Sequence, residues 1–252
     1  FMAVIHRKIQ DRIEGRLQPG KVIILAGARR TGKTVLLKEI MKKLDGPFLY
    51  LNGEDYTTGL KLQQKGLDEY KNLVGANKYL VIDEAQKIEN IGQILKLMID
   101  EIEGLYIIIT GSSALDISLS TGEPLTGRKY TFQLHPIAQC ELTAYENIIE
   151  TESLLENRLI YGSYPEVLSI KDNQQKTEYL GELINSYLLK DILILDNIKN
   201  SAKLVNILRL LAFQIGKEVS VNELAKNVGL NKLTVERYLD LLTKVFVIYR
   251  IE

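Results

Sequence analysis

The stretch KVIILAGARRTGKT, residues 21–34, holds a short apolar run followed by two glycines and the start of a helical pattern. Its second half is a Gly, four residues and then Gly-Lys-Thr, which is the phosphate-binding loop motif when a strand precedes it and a helix follows. The apolar run at residues 22–25 supplies the strand, and apolar residues at helical spacing follow the motif. The sequence therefore predicts a loop that binds the phosphates of a nucleotide.

The residue types of this loop suit that chemistry. Gly27 and Gly32 allow backbone torsions and a close approach to the ligand that a Cβ would block. Backbone N–H groups and the positive end of the helix dipole attract an anion. Lys33 would reach the β- and γ-phosphates, and the Thr34 hydroxyl would be a ligand of Mg²⁺. The predicted nucleotide-binding residues are Gly27, Ala28, Arg29, Arg30, Thr31, Gly32, Lys33, Thr34 and Val35.

The loop leaves two alternatives open. Arg29 and Arg30 occupy its variable positions, where they either add positive charge at the phosphates or point outward to solvent or a partner. The loop as a whole has a structural alternative, a glycine-rich turn between strand and helix that binds no ligand.

The composition is that of an ordinary globular protein. The 252 residues are 46% hydrophobic and 25% charged, and the formal net charge is zero, which gives no indication of a nucleic-acid or membrane partner. The single cysteine, Cys140, excludes an internal disulfide. No apolar run reaches the roughly 20 residues of a membrane helix. The chain does not begin with a signal-peptide pattern, so we predict a cytoplasmic protein that does not enter the membrane.

Apolar segments alternate with helical patterns through the first half of the chain. The central segments lack polar alternation, which is typical of parallel strands covered on both faces. A helix is also predicted over residues 4–18 from the spacing of its isoleucines. We predict an α/β fold with a five-stranded parallel sheet, with strands at residues 22–26, 48–52, 79–82, 105–110 and 130–134.

The strand signals stop near residue 137, and the rest of the chain is predicted to be mainly helical. A Gly-Ser-Tyr-Pro break at 162–165 separates two long helices, and Gly229 separates two short ones. The predicted helices lie at 137–161, 173–195, 203–215, 221–228 and 231–244, and a last strand lies at 246–251.

Two acids end the third predicted strand. Asp83 and Glu84 follow the apolar run at residues 79–82. In a parallel sheet, ligands gather at the carboxyl ends of the strands, so Asp83 should lie beside the phosphate loop and hold Mg²⁺ together with Thr34. Glu84 would orient or deprotonate a water molecule in line with the γ-phosphate. The alternative is that both acids are simply the solvated end of a strand.

The acid strand is the third strand rather than the second, which implies a strand inserted between the loop strand and the acid strand. This order resembles the P-loop ATPases that carry their own catalytic glutamate, including the AAA, RecA and STAND types. Six blocks, taken in order, resemble a prokaryotic AAA/STAND-like ATPase family. They are GARRTGKT (27–34), YLVIDEAQ (79–86), IIITGSS (107–113), LTGR (125–128), YGSYPEV (161–167) and the tail at 222–251.

The resemblance implies a domain organisation and an activity. The expected domains are a P-loop ATPase core (1–136), a helical lid (137–200) and a winged-helix domain (201–252). Members of the family often continue into a further domain of uncertain function. The DEAQ block is also similar to a helicase box, but a helicase needs a second RecA-like domain, so Gln86 is interpreted as incidental.

The resemblance also implies roles for single residues. Ser112 or Ser113 would be the sensor that contacts the γ-phosphate or the attacking water, with a helix cap as the alternative. Arg128 would be an arginine finger or sensor, with a surface cation as the alternative. Pro165 would pack on the adenine, although Ser163 stands where the family commonly has a second glycine.

The tail has the pattern of a winged helix. On its second helix, Lys232, Thr234 and Arg237 are predicted to face outward, where a recognition helix would read a major groove. Nearby acids balance the basic side chains of the two helices to within one charge. Since DNA affinity depends on phosphate neutralisation, both DNA binding and protein docking stay open for this module.

The leading functional hypothesis is an Mg²⁺-dependent ATPase that binds ATP and ADP and couples hydrolysis to movement of the winged helix. Lys33, Glu84, Arg128 and Ser112 are its predicted catalytic residues, and Thr34 and Asp83 its metal ligands. A nucleotide-gated switch and a DNA-binding adaptor with little turnover are the alternatives. A homo-oligomer is considered because it would let Arg128 act on a neighbouring subunit.

Overall fold

The computed structural model of the protein describes residues 4–63, 66–112, 125–185 and 201–249. The chain divides into two compact units, one ending at Thr177 and the other beginning at Glu178. Each unit has its own hydrophobic core. The finer division into core, lid and winged helix stays a prediction.

Five parallel strands form the centre of the first unit. They are β1 (Val22–Ala26), β2 (Phe48–Asn52), β3 (Tyr79–Asp83), β4 (Tyr106–Gly111) and β5 (Lys129–Gln133). They form one sheet in the order β2-β3-β4-β1-β5, and every neighbouring pair is parallel. The predicted α/β fold with a five-stranded parallel sheet is therefore confirmed.

Burial explains the continuous apolar runs of the central strands. Every residue of β1 and β3 is buried, and in β4 only Tyr106 is partly exposed. The edge strands β2 and β5 each contain a single buried residue, Leu51 and Phe132 respectively. Strands covered on both faces need apolar side chains at every position, whereas edge strands do not.

A strand is indeed inserted between the loop strand and the acid strand. It is β4, whereas β2, the strand that follows the loop helix along the chain, lies at the edge of the sheet. The carboxyl ends of all five parallel strands meet at one edge. This order brings the loop after β1, the acids after β3 and the segment after β4 to the same place.

Helices precede, connect and follow these strands. They are α1 (Ile9–Glu14), α2 (Lys33–Met41), α3 (Tyr56–Leu62), α4 (Leu67–Val74), α5 (Ile91–Glu101), α6 (Gln139–Leu142), α7 (Ile148–Tyr161), α8 (Pro165–Ser169) and α9 (Asn173–Leu183). The helix predicted over 4–18 is wrong at both ends, because α1 begins only at Ile9 and already ends at Glu14. The backbone N–H groups of His6 and Lys8 donate instead to the Tyr145 hydroxyl and the Glu141 carboxylate, both at 2.9 Å.

The single helix predicted over 137–161 is divided into α6 and α7. Asn147 begins the second helix with a reciprocal cap. Its side chain accepts the Glu150 N–H at 3.0 Å, and the Glu150 carboxylate accepts the Asn147 N–H at 2.8 Å. Of the helix predicted over 173–195, α9 confirms the first part, and residues 186–195 lie outside the described part of the chain.

Glu146 joins α6 to α7 through its carboxylate. Arg158 donates to both of its oxygens, from Nη1 to Oε1 at 2.7 Å and from Nη2 to Oε2. Gln139 and Thr151 donate to Oε1 at 2.6 and 2.9 Å. Hydrogen bonds from Arg158 are the main reason that the pKa of Glu146 is lowered from 4.5 to about 2, with Gln139 and Thr151 adding to the effect and burial opposing it.

We expect Glu146→Gln to destabilise the first unit by roughly 1–3 kcal/mol at neutral pH, since it leaves Arg158 without its anionic partner. Because the folded-state pKa is lowered, the stabilisation by Glu146 is present above about pH 4.5 and is lost as the pH falls toward 2. Denaturant unfolding at several pH values should therefore show a difference between wild type and variant that shrinks on acidification. Glu152→Gln, on an exposed side chain of α7, is the control. A difference that is constant with pH would contradict the assigned ion pair.

The second unit is a small helical bundle. Besides the end of α9, its described helices are α10 (Ser201–Phe213), α11 (Val221–Val228) and α12 (Lys232–Lys244). Gly229 ends α11 in the left-handed conformation, and Asn231 caps α12 by accepting the Thr234 N–H at 2.8 Å. On α12, four side chains at helical spacing are buried, namely Val235, Tyr238, Leu239 and Leu242.

The strand predicted over 246–251 is wrong for its described part. Phe246 has a φ of +61°, and residues 247–249 belong to no strand. The N–H of Val247 donates to Leu242 O at 2.9 Å, so this backbone closes the end of α12 and does not pair with another strand. Residues 250–251 lie outside the described part. The winged-helix assignment stays a prediction.

None of the helices within the described ranges combines the length and the apolar character needed to cross a bilayer. The cytoplasmic location stays a prediction.

Candidate nucleotide-binding site

The loop between β1 and α2 depends on its two glycines. Leu134 follows β5, and its N–H donates to Ala26 O at 2.7 Å. A Cβ on Gly27 would clash with the backbone oxygen of Leu134. Gly32 has a φ of +95° at the N-cap of α2. Arg30 also has a positive φ, of +65°, which places a strained residue at the tip of the loop. The predicted loop is thus a tight turn that leads into a helix N-terminus.

Lys33 lies inside the turn. Its side chain is buried, and its Nζ donates to Gly27 O at 3.0 Å and to Ala28 O at 2.9 Å. The Thr31 hydroxyl donates to the same Ala28 oxygen at 2.9 Å. The ammonium group therefore lies within the loop, where the backbone N–H groups and the N-terminus of α2 also favour an anion.

Thr34 and Asp83 meet as the sequence predicts. The Thr34 hydroxyl donates to Asp83 Oδ2 at 2.8 Å, and Asp83 is only 4% exposed. One hydroxyl and one carboxylate at the edge of a phosphate loop are oxygen donors of the kind that Mg²⁺ prefers. These two residues therefore fit a magnesium site.

Two further residues hold the Asp83 carboxylate, and the sequence alone did not identify them. The Thr110 hydroxyl, at the end of β4, donates to Oδ1, and the Tyr50 hydroxyl, on β2, is 3.4 Å from Oδ2. Burial, followed by the negative charge of Asp83, raises the pKa of Tyr50. Tyr50 therefore stays a neutral donor, and the carboxylate has a fixed orientation.

Glu84 is held at both its backbone and its side chain. It adopts the left-handed conformation, with φ +51° and ψ +44°, which is uncommon for a residue with a Cβ. Its N–H donates to the Thr110 hydroxyl at 3.1 Å, and its carboxylate accepts a hydrogen bond from Gln86 Nε2. The side chain is partly exposed, next to the buried Asp83. Access to water beside a phosphate site is what a general base requires.

Ser112 and Ser113 are the two candidates for the sensor. Ser112 directly follows β4 and is buried. Because Gly111 pairs with Ala26, Ser112 lies at the same level of the sheet as Gly27, the first residue of the loop. It therefore lies at the same edge as Asp83 and the loop. Ser113 lies outside the described residues.

The structure does not bring Arg128 to this edge. Arg128 directly precedes β5, whose first residue pairs with Val22, whereas the loop follows Ala26. Four residue steps along a strand separate these two edges by roughly 13 Å. Arg128 instead forms an ion pair with Asp100 at 2.8 Å, and 42% of its side chain is exposed.

A pocket of about 290 Å³ is lined by Thr31 and Gly32 of the loop and also by Pro165. A Cβ on Gly32 would lie 3.8 Å from Pro165 Cγ. Val35, which is 49% exposed, also lines the pocket. Apolar walls of this kind suit a flat base. The remaining lining includes Val4, Ile5, His6, Ile137 and Leu36.

The serine that departs from the family pattern has a structural explanation. Gly162 has a φ of +75° and ends α7, so this position needs glycine. Ser163 has no positive φ, and its carbonyl oxygen accepts the Ile137 N–H at 2.9 Å. A side chain at this position is therefore compatible with the turn that carries Pro165.

Arg7 ties the loop to neighbouring segments and was not singled out from the sequence. Its guanidinium donates to Glu141 Oε2 at 3.0 Å, to Thr31 O at 3.1 Å and to His135 O at 2.6 Å. Arg7 and Glu141 are each 8% exposed, so their charges are paired away from water. Arg7 therefore connects Thr31 of the phosphate loop to Glu141 of α6.

Comparison with known proteins gives two family matches. Residues 19–143 match a family described as an AAA domain, and residues 152–252 match a domain of unknown function. An uncharacterized protein of Methanocaldococcus jannaschii is 27% identical over 96% of this chain and 58% of its own length. An uncharacterized protein of Mycobacterium tuberculosis is 25% identical over 98% of this chain and 53% of its own length. This chain spans about half the length of the curated relatives it matches.

A solved structure is also similar. The Walker-type ATPase of Pyrococcus abyssi superposes with a TM-score of 0.65 at 16% identity, over 96% of this chain and 90% of that chain. At such low identity, the likeness concerns the fold alone. Together with the AAA-domain match, it supports an AAA-like P-loop NTPase fold. The STAND-like and winged-helix features of the predicted family stay predictions.

Proposed function

We propose that this protein binds ATP with Mg²⁺ and hydrolyses its terminal phosphate. The observation that carries the proposal is the 2.8 Å contact between Thr34 and Asp83 beside the buried Lys33. A glycine-rich turn without a ligand has no need of a buried ammonium group and a buried carboxylate at the same edge. The AAA-domain match and the P-loop fold support the same activity.

Each residue of the site has a part in the proposed reaction. Lys33 and the N–H groups of the loop would bind the β- and γ-phosphates and offset their charge. Thr34 and Asp83 would hold Mg²⁺, which supplies charge neutralisation at the phosphate oxygens when bound. Glu84 would accept a proton from water as the water oxygen forms a bond to the γ-phosphorus and the bond to the β-phosphate oxygen breaks. The products are ADP and inorganic phosphate.

Base binding is proposed for the pocket beside Pro165. Its apolar lining, which includes Pro165 and Val35, would pack on the adenine. Ser112 is proposed as a sensor, because it is buried at the edge where the γ-phosphate would lie. Arg29 and Arg30 stay proposals as additional phosphate contacts.

Phosphate release from ATP by the purified chain tests the proposal. We expect turnover with Mg²⁺ and loss of turnover when EDTA removes it. Slow turnover with tightly retained ADP would favour the nucleotide-gated switch. An absence of both turnover and ATP binding in folded protein would contradict the proposed function.

We propose that Arg128 acts on a neighbouring subunit, because it lies at the opposite edge of the sheet from its own phosphate loop. Arg128→Ala and Glu84→Gln should each lower turnover when measured alone. Mixing the two variants should restore part of the activity, since a Glu84→Gln subunit would supply its arginine to an intact site. Mixtures no more active than the separate variants would contradict a role between subunits.

We also propose that ATP hydrolysis is coupled to the second unit. ATP hydrolysis would drive movement of the second unit, and the unit would contact DNA or a protein. The i,i+4 pair between Lys232 and Glu236, 3.7 Å apart, neutralises one basic group of α12. The charges of α12 therefore do not distinguish DNA from a protein as the partner.

A further inference from the structure

Gln86 contacts the proposed general base. It lies on the short 3₁₀ helix Ala85–Lys87, directly after Glu84, and its Nε2 donates a hydrogen bond to Glu84 Oε2. The sequence suggested no role for this glutamine. Its place in the fold suggests one.

Only one orientation of the Gln86 amide is favourable here. A carboxylate accepts hydrogen bonds, so the group that faces it must be the NH₂ of the amide. Turning the amide over would place Oε1 against a carboxylate oxygen. In the observed orientation, Oε1 is buried and has no hydrogen-bond partner among the described residues. Since an unpaired buried acceptor is unfavourable, the contact with Glu84 is what orients this side chain.

The backbone and the side chain of Glu84 are fixed by different partners. The Thr110 hydroxyl accepts the Glu84 N–H at 3.1 Å and so supports the left-handed backbone of Glu84. That contact leaves the side-chain torsions of Glu84 free to rotate. Gln86 acts at the far end, on the carboxylate that would accept the proton.

We propose that Gln86 is a positioning residue that holds the Glu84 carboxylate in the orientation needed to deprotonate water. This inference rests on the proposed ATPase function. Gln86 acts through Glu84 and not through contact with ATP. Its loss should therefore lower the turnover number and leave ATP affinity unchanged.

Two variants test the proposal. Gln86→Met keeps a similar length without the amide donor, and Gln86→Glu keeps the shape but faces Glu84 with a like charge. We expect kcat to fall by about tenfold or more in each, as for a misplaced catalytic group, while KM and the Kd for Mg-ATP change by less than about twofold. Lys87→Ala, on an exposed side chain of the same 3₁₀ helix, should match wild type. If Gln86→Met does not fold, Gln86→Glu still provides the measurement.

A double variant separates positioning from a general structural effect. If Gln86 acts only through Glu84, adding Gln86→Met to Glu84→Gln should lower turnover no further. A full additional loss in the double variant would overturn the proposal, and so would wild-type kcat in Gln86→Met with Glu84→Gln inactive. Wild-type turnover in Glu84→Gln alone would instead remove Glu84 from the mechanism, which is a failure of the proposed function.

Discussion

Lys33→Ala is expected to weaken Mg-ATP binding by about 100-fold, or roughly 3 kcal/mol, because it removes the ammonium group that is buried inside the phosphate loop. The ammonium group is already buried against the carbonyl oxygens of Gly27 and Ala28. A triphosphate that entered the loop would therefore meet a positive charge that needs little rearrangement. Titration calorimetry on wild type and variant measures the effect.

The control for this variant is Lys38→Ala, on an exposed position of the same helix, α2. It removes a lysine and one positive charge but leaves the loop intact. We expect its affinity for Mg-ATP to match that of wild type. Equal affinity in Lys33→Ala and wild type would show that the nucleotide is bound elsewhere. An equal loss in both variants would assign the effect to the net charge of the helix.

Glu84→Gln is expected to lower kcat by about 100- to 1,000-fold while ATP affinity stays within about threefold of wild type. The substitution keeps the shape of the side chain but removes its ability to accept a proton. The metal ligands remain, because Thr34 and Asp83 are held by their own contacts. Single-turnover hydrolysis and ATP binding, measured on the same preparation, separate the two effects.

Glu89→Gln, an exposed glutamate between β3 and α5, is the matched control and should retain wild-type turnover. Loss of ATP binding together with turnover in Glu84→Gln would point to a disturbed loop rather than a missing base. Unchanged turnover would assign the proton transfer to another group. A reciprocal result, with Glu89→Gln inactive, would place the chemistry outside the proposed site.

Local patterns in the sequence predicted the central strands β1, β3 and β4 well because these strands are short and buried. The continuous apolar residues of β1 and β3 have no other simple explanation, and the glycine spacing after β1 predicts a tight loop there. Asp83 was then placed by topology, since parallel strands end at one edge. Its contact with Thr34 is 49 residues distant in the sequence, yet the motif order was sufficient to predict it.

Tertiary contacts explain most of the errors. The apolar spacing of residues 4–18 favours a long helix, but His6 and Lys8 donate their N–H groups to Tyr145 and Glu141. The aromatic and β-branched run after Lys244 favours a strand, but its backbone bonds to the end of α12. The pattern of neighbouring residues does not show that these backbone N–H groups will bond to residues outside the predicted helix or strand.

The supporting residues of the site were harder to predict than the motif residues. Arg7 and Glu141 are 134 positions apart, and each alone is typical of an ordinary exposed charge. Thr110 follows an apolar run, where its hydroxyl gives no signal of the Asp83 contact. Arg128 matched a family arginine, but only the strand register could place it at the far edge of the sheet.

Calorimetric titration of the wild-type chain with Mg-ATP is the most direct test of whether this turn holds a nucleotide. We predict a saturable heat that corresponds to one site per chain, and its loss when Asp83→Asn and Lys33→Ala are combined. A well-folded wild-type protein that gives no heat of binding at several temperatures, and is not protected from thermal unfolding by Mg-ATP, would contradict the account.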